Sequence, residues 1–268
     1  MKTKTKKLKG ENEKKSQIIP IFKTHGSLGR AILTVKKEDE ISESGPVSIF
    51  SIVKEHKLDK IIITDDTFLS FPSVYKNINP ICQVIFGINF FCCNDVKGKG
   101  AESVMTESKI TILMNNSKGY KDLLRLHNKV HTDPDYLYYH PRVDWETLSD
   151  LWTENLTLFL PAYDNFIHNN LLKDGGCLPQ FKSIKPVFSW ASMELPFDYL
   201  LEDAIQSYAS NNNFEIIESH PIYYYKEEDL KAYMFFRSVD RRAVFSNPNL
   251  DFMTSNQFSF ESYLKKTK

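Results

Sequence analysis

The chain has 268 residues, enough for one large domain or two small ones, and its length favours neither. Hydrophobic residues make up 41% and charged residues 25%, which excludes a wholly disordered chain, and no apolar run approaches the ~18–20 residues of a membrane-spanning helix. The net charge is zero, yet residues 1–15 carry seven Lys and two Glu, so a segment of net +5 precedes a body of net −5.

The first segment of the chain is predicted to be a disordered basic arm over residues 1–16, followed by one folded domain over residues 17–268. The candidates for contacts with nucleic acid are Lys4, Lys6, Lys7 and Lys9. A solubilising tail, or a segment that binds an acidic protein, fits the same composition. Because no apolar stretch of signal-peptide type follows the lysines, we expect a cytoplasmic protein.

Apolar runs of strand length alternate along the domain with segments of helical periodicity. The predicted strands cover residues 18–22, 61–63, 82–91, 109–114, 156–160, 185–189 and 214–217. The predicted helices cover residues 46–57, 71–77, 118–130, 144–151 and 197–210. A glycine-containing loop over 23–30 and a polar excursion over 94–108 interrupt them. This alternation is typical of parallel βα units, and it predicts an α/β barrel or a doubly wound sheet.

The other residues of chemical interest indicate packing rather than catalysis. Four cysteines lack the paired spacing of a zinc site and are predicted to be reduced and buried: Cys82, Cys92, Cys93 and Cys177. The sequence contains neither a phosphate-binding glycine-rich loop nor a Gly-x-Ser-x-Gly nucleophile turn. His127, His131 and His140 are predicted to lie at the surface. The tyrosines of residues 136–139 and 223–225 are predicted to pack in the core or in loops.

Six short motifs follow one another in an order that resembles the PHP (polymerase and histidinol phosphatase) domain of bacterial DNA polymerase III α subunits. They are IPIFKTHGSL at 19–28, IIITDDTF at 61–68, GINFF at 87–91, ITILMNNSKGYKDLLRL at 110–126, YYHPRVD at 138–144 and YYYKEEDLKAY at 223–233. Ser246-Asn247-Pro248 also lies where the family often has Ser-Asp-Pro. The resemblance implies a distorted (β/α)7 barrel of PHP type over residues 17–268, as a free-standing protein of phage or mobile-element origin.

Enzymes of this family hydrolyse phosphoesters with a cluster of metal ions at the mouth of the barrel, held by His, Asp, Glu and sometimes Cys. The resemblance places nine ligand positions at Lys23, His25, Asp65, Asp66, Asn89, Lys109, Ala162, Pro221 and Tyr223. A lysine at two of these positions brings a cation to the place of a metal ion. We therefore expect a mouth filled by a Lys–Asp hydrogen-bonded network, with no cofactor.

A remodelled metal site is the alternative. Its strongest candidate ligands are His25, Asp65 and Asp66, its further candidates are Asp164, His168 and His220, and its metal is Zn or Mn. Such a protein is a metal-dependent phosphoesterase or a 3′–5′ exonuclease. The lost ligands favour instead an interaction or scaffolding module linked to DNA replication, a pseudoenzyme whose partner is a replication polymerase or a proofreading exonuclease.

Overall fold

A computed structural model describes residues 18–27, 30–43, 45–242 and 255–268, without the side chain of Arg241. The predicted basic arm over residues 1–16 and the Ser246-Asn247-Pro248 motif lie outside these described residues.

Nine strands lie in the described part of the chain. They are β1 (Ile19–Phe22), β2 (Lys60–Asp65), β3 (Gln83–Cys93), β4 (Ser108–Met114), β5 (Leu137–Tyr138), β6 (His140–Asp144), β7 (Leu156–Leu160), β8 (Val187–Trp190) and β9 (Glu215–Ile222). Each predicted strand is present. The largest difference is at β9, which continues five residues beyond its predicted end, while the ends of β2, β3 and β8 differ from the prediction by one or two residues.

The helices of the described residues are α1 (Ile49–His56), α2 (Phe71–Asn77), α3 (Ala101–Val104), α4 (Ser117–Thr132), α5 (Trp145–Asp150), α6 (Phe166–Leu172), α7 (Asp198–Asn212), α8 (Leu230–Arg241) and α9 (Phe260–Thr267). Several begin where a side-chain oxygen accepts a backbone N–H, as Asn116 does for α4 and Asp144 for α5. Among the described residues, no helix combines the length and the apolar character that crossing a bilayer requires.

Seven strands close into a barrel. Their order is β2, β1, β9, β8, β7, β4 and β3, and β3 pairs back with β2. The predicted α/β barrel of seven strands is therefore confirmed. β6 pairs with the end of β3 and β5 pairs with β6, so this short hairpin extends the sheet beyond the barrel.

One barrel strand runs against the others. β4 is antiparallel to both of its neighbours, β3 and β7, so the prediction of uniformly parallel βα units was wrong for this strand. The connection from β3 to β4 contains only the four-residue helix α3, and the chain re-enters the barrel at the end that it has just left. The first residues of β4 consequently lie beside the last residues of the parallel strands.

The barrel interior changes character along its axis. A small apolar cluster inside the barrel consists of Ile21, Ile62, Leu113 and Phe159. Because side chains of a strand alternate between its faces, the next inward-facing positions toward the mouth are two residues further on. On β1 and β2 these positions are Lys23 and Thr64, which line a cavity there. The candidate functional residues therefore lie next to this apolar cluster, on the side toward the mouth of the barrel.

The predicted packing of cysteines and most tyrosines is confirmed. All four cysteines are free and buried. Tyr136 and Tyr224 are buried, and the ring of Tyr223 stacks on Phe258 with centroids 4.9 Å apart. Tyr139 differs, because 84% of its surface is exposed.

Candidate functional site: the mouth of the barrel

Seven of the nine positions named from the sequence meet at one end of the barrel. A cavity of about 50 Å³ is lined by Lys23, Asn89, Lys109, Ala162, Pro221 and Tyr223, among others. It adjoins a larger cavity of about 490 Å³, whose wall includes Asp66, Asn89 and Lys109. Lys109 joins the group only because β4 is antiparallel, which puts the start of that strand at the mouth.

The other two positions do not line either cavity. His25 has an exposed side chain. Asp65 is fully buried, and its carboxylate accepts hydrogen bonds from the Thr24 amide (2.9 Å), the Thr24 hydroxyl (2.7 Å), the Ser27 hydroxyl (3.0 Å) and the Ser70 hydroxyl. The two oxygens of this carboxylate are therefore occupied by four donors from the protein itself. Asp65 thus ties the loop after β1 to the end of β2.

Asp66 is the acid that faces the mouth. Its carboxylate lies 3.8 Å from Lys23 Nζ and 3.6 Å from Arg30 Nε, and it accepts a hydrogen bond from Asn89 Nδ2 at 2.8 Å. Burial opposes its charge, but Lys23, Arg30, Lys109 and the Asn89 hydrogen bond outweigh burial and lower the pKa of Asp66 to about 2. The side chain is therefore ionised and engaged by cations at neutral pH.

Two lysines occupy the centre of the mouth. Burial, the largest effect, lowers the pKa of Lys23, and Asp66 partly opposes that effect. Burial and the adjacent charge of Lys23 lower the pKa of Lys109 well below its ordinary value. Keeping either lysine charged in the mouth therefore costs free energy.

The opposite side of the mouth is built by the segment after β7. Asp164 has a backbone φ of 62°. Its carboxylate oxygen Oδ1 lies 3.1 Å from Lys173 Nζ, so the two side chains form an ion pair. Burial opposes the charge of Asp164, but Lys109, Lys173 and His168 outweigh it and lower the pKa of this carboxyl group. Asn169 Nδ2 donates to the backbone carbonyls of Glu107 and Asp164, which joins α6 to the start of β4. The sequence contained no motif that singled out Lys173 or Asn169.

The remaining candidates of the alternative metal site lie elsewhere. His220 is 1% exposed and faces away from the mouth, with Nε2 2.7 Å from the Gln257 carbonyl oxygen and its ring against Tyr263. His168 is buried against Phe197 and Tyr163. In the part of the chain that the structure describes, no three His, Cys, Asp or Glu side chains are arranged to hold a metal ion.

Three further histidines lie near the cavity rim. His131 is exposed and stacks on His127 with ring centroids 3.8 Å apart, whereas His127 is half-buried against Phe68 and Phe90. His140 Nε2 lies 3.0 Å from a carboxylate oxygen of Glu107. The surface position predicted for these residues holds for His131. His140 packs partly inside because Glu107 of the loop over 94–108 lies against it, and His127 does so because it packs on Phe68 and Phe90.

The mouth is also more open than the sequence led us to expect. Ion pairs connect Lys23 and Arg30 to Asp66, and Lys173 to Asp164, but they surround the 490 Å³ cavity rather than fill it. The arrangement supplies cations and hydrogen-bond donors to a ligand. Among the residues that the structure describes, it does not supply a group of carboxylate and imidazole ligands that could hold a metal ion.

Comparison with protein-family models assigns a family to the chain. The model of the family described as PHP domain matches residues 41–208, which is more than half of the chain. A search of curated proteins found no match. The matched segment runs from before α1 into α7, while β1 and β9, which complete the barrel, flank it.

Proposed function

The chain belongs to the PHP domain family, and from this membership we propose that it is a non-catalytic member that serves DNA replication as an interaction and scaffolding module. The family includes phosphoesterases and polymerase domains. The residues at the mouth of the barrel distinguish a hydrolase from a non-catalytic domain, because hydrolysis takes place there. Metal-dependent hydrolysis needs several open anionic or imidazole ligands and an activated water molecule. The residues of this mouth do not fit such a cluster.

The observation that supports a non-catalytic role most directly is the ion-pair network at the mouth. The resemblance assigns Lys23 and Lys109 to two positions of the family's metal ligands, and both lysines line the mouth. Asp66 is already engaged by Lys23 and Arg30. Asp65, which matches a family ligand, is saturated by donors from the protein. Within the described part of the chain, a divalent ion entering here would meet two ammonium groups and no group of side chains that could hold it.

The interaction part of the proposal is supported by the resemblance to the N-terminal domain of polymerase III α subunits, in which such domains stabilise the polymerase and contact a proofreading exonuclease. It is also supported by exposed apolar side chains around a groove of about 570 Å³ between α2 and α4. Tyr75 and Tyr120 line this groove and are 66% and 42% exposed. Exposed apolar clusters of this kind are a common feature of protein interfaces.

The test uses the full chain with the purified polymerase III α subunit and, separately, the purified proofreading exonuclease of the same cell. We expect one of them to bind, with Tyr75→Glu weakening the affinity by about tenfold or more, since a charge opposes burial of that surface. Tyr199→Glu, at a 70% exposed tyrosine on α7, is the matched control and should leave binding unchanged.

The same preparations are assayed for Mn²⁺- and Zn²⁺-dependent hydrolysis of phosphoesters and of DNA 3′ ends, and we expect none. Cleavage that disappears in Asp66→Ala would establish the alternative, a phosphoesterase or exonuclease. Asp66 suits this purpose because it faces the cavity, whereas changing Asp65 removes a structural carboxylate. Failure of both partners to bind would refute the link to replication.

A further inference from the structure

One strand of the barrel lacks the long helix that normally follows it. In an α/β barrel each parallel strand leads into a helix that packs on the outer face of the sheet. β3 leads instead into the four-residue helix α3 and then into the antiparallel strand β4. The neighbouring helices are α2, which follows β2, and α4, which follows β4. The outer face of β3 therefore has no long helix of its own.

The apolar groove of about 570 Å³ between α2 and α4 lies at this place. Val84 and Phe86 of β3 and Met114 of β4 line it. Ile85 and Leu113, the neighbours of these residues in the two strands, pack in the apolar cluster inside the barrel. Because side chains alternate along a strand, the groove is floored by the outer face of the sheet.

The position of the groove indicates the form of its occupant. The barrel is closed, so a partner meets the face of the sheet and makes its contacts there through side chains. Such a partner must satisfy its own backbone hydrogen bonds, as an α-helix does. Tyr75 of α2 and Tyr120 of α4 stand at the two sides of the groove, where a helix inserted between α2 and α4 would contact them.

The helices beside the groove supply positive charge. Among the described residues that line the groove, none is charged. Exposed lysines lie on the two flanking helices, at Lys76 of α2 and at Lys118 and Lys121 of α4. Helical spacing places Lys76 one turn after Pro72 and Lys121 one turn after Ser117, and both of these earlier residues line the groove.

The carboxylate nearest to these lysines along α4 is engaged elsewhere. Asp122 accepts hydrogen bonds from the Thr153 hydroxyl at 2.7 Å and from Asn155 Nδ2 at 3.0 Å, and it pairs with Arg125. These partners hold Asp122 toward the segment before β7. An apolar groove beside exposed lysines is complementary to a partner that combines apolar side chains with carboxylates.

We propose that the groove between α2 and α4 binds an acidic amphipathic helix of a partner protein, in the place of the barrel helix that β3 lacks. The apolar side of that helix packs on Val84, Phe86 and Met114, and its carboxylates lie near the lysines of α2 and α4. This inference names the partner's chemistry for a surface that the proposed function assigns to protein interaction, and it rests on that assignment. It does not depend on the link to replication.

The test is a fluorescence-anisotropy titration of the full chain with three synthetic helical peptides. They share an apolar face of Phe and Leu, and their remaining positions are Glu, Gln or Lys. We expect the Glu peptide to bind about tenfold more tightly than the Gln peptide at low salt, and the Lys peptide to bind least, because several exposed ion pairs add small contributions. Binding of none of them, or equal binding of the Glu and Lys peptides, would overturn the proposal.

A charge reversal tests the lysines. Lys121→Glu should lower the affinity for the Glu peptide by about fivefold or more, since it replaces an attraction by a repulsion. Lys54→Glu, at an exposed lysine on α1, is the matched control and should leave that affinity unchanged. Equal effects of the two variants would show that only the net charge of the chain matters, which would overturn the site.

A second measurement locates the peptide on the unmodified chain and so does not depend on how a variant folds. A photoreactive phenylalanine analogue on the apolar face of the Glu peptide should cross-link to segments that contain Tyr75, Met114 or Tyr120, identified by mass spectrometry. Cross-links confined to other segments would overturn the site. Sedimentation of the chain alone tests a second copy as the occupant, and a dimer that Tyr75→Glu dissociates would overturn the acidic partner.

The results separate this inference from the proposed function. If the α subunit or the exonuclease binds in a manner that depends on Tyr75 while the Glu peptide does not bind, the partner chemistry is wrong and the proposed function stands. If the Glu peptide cross-links in the groove while neither protein binds, the groove assignment stands and the link to replication is refuted.

Discussion

At the scale of single residues, two adjacent carboxylates have different roles. Asp65 points into the protein and accepts hydrogen bonds from Thr24 and Ser27 of the loop after β1 and from Ser70, which precedes α2. Asp66 points into the cavity and balances Lys23 and Arg30. The reason is the alternation of side chains at the end of β2, which sends neighbours to opposite sides of the strand.

This difference predicts the effect of replacing Asp65. In Asp65→Asn an amide nitrogen replaces one carboxylate oxygen and faces hydroxyl donors, so buried hydrogen bonds to a charged acceptor are lost. Each such bond contributes roughly 1.5–3 kcal/mol, and we expect the free energy of unfolding in urea to fall by about 3 kcal/mol. Asp150→Asn, at an exposed aspartate, is the control and should change stability by less than about 0.5 kcal/mol. A comparable effect for the two variants would contradict the role assigned to Asp65.

At the scale of elements, the motif that resembled the family most specifically holds a loop in place. Arg142 in β6 is fully buried; its Nη2 donates to the Gly98 carbonyl at 2.8 Å and its Nη1 lies 3.3 Å from Glu107. Its guanidinium also lies over the ring of Tyr138, with 5.0 Å to the centroid. The polar excursion over 94–108 is therefore tied to β6 and forms part of the cavity wall.

We predict that Arg142→Met releases this loop. Breaking this buried ion pair leaves the Glu107 carboxylate with His140 but without the Arg142 guanidinium. Stability should therefore fall by about 3–5 kcal/mol, and amide hydrogen exchange should accelerate over residues 94–107. Arg125→Met is the matched control, because Arg125 forms an exposed pair with Asp122 on α4 that is worth about 0.5 kcal/mol or less. Unchanged exchange in the loop would show that other contacts hold it.

At the scale of the whole molecule, the basic segment and the body differ in charge. Residues 1–15 have net charge +5 and the rest of the chain −5. We predict that residues 1–16 supply most of any affinity for nucleic acid, through lysine–phosphate contacts that read no base sequence. Each engaged lysine should steepen the salt dependence by a slope of roughly 0.7–0.9.

The measurement compares the full chain with a chain lacking residues 1–16, on single-stranded and duplex DNA at two salt concentrations. Equal affinity and equal salt slope would place the DNA site on the barrel and leave the arm as a solubilising tail. If neither form binds, the arm has no DNA-binding role, and a segment that engages an acidic protein is the remaining interpretation.

The sequence alone determined the α/β class, and its ordered motifs indicated the seven-stranded barrel. It placed the seven barrel strands and the helices α1, α2, α4, α5 and α7 to within three residues at most ends, whereas β5, β6, α3, α6, α8 and α9 were not predicted. These features depend on local patterns. The apolar run KITILM predicts a strand whichever strands it pairs with, and the helical spacing of apolar residues after Asn116 predicts α4. The ordered motifs also indicated the family that the match over residues 41–208 shows.

Only the tertiary structure decided the direction of β4, the outward orientation of His220 and the opposite directions in which the side chains of Asp65 and Asp66 point. It also brought Arg30 and Lys173 to the mouth, where they meet Asp66 and Asp164. The contact between Arg30 and Asp66 joins residues far apart in the chain, and its existence depends on the pairing of β1 with β2. Local patterns specify which face of a strand a side chain occupies, but the charge balance of a cavity depends on which strands close around it.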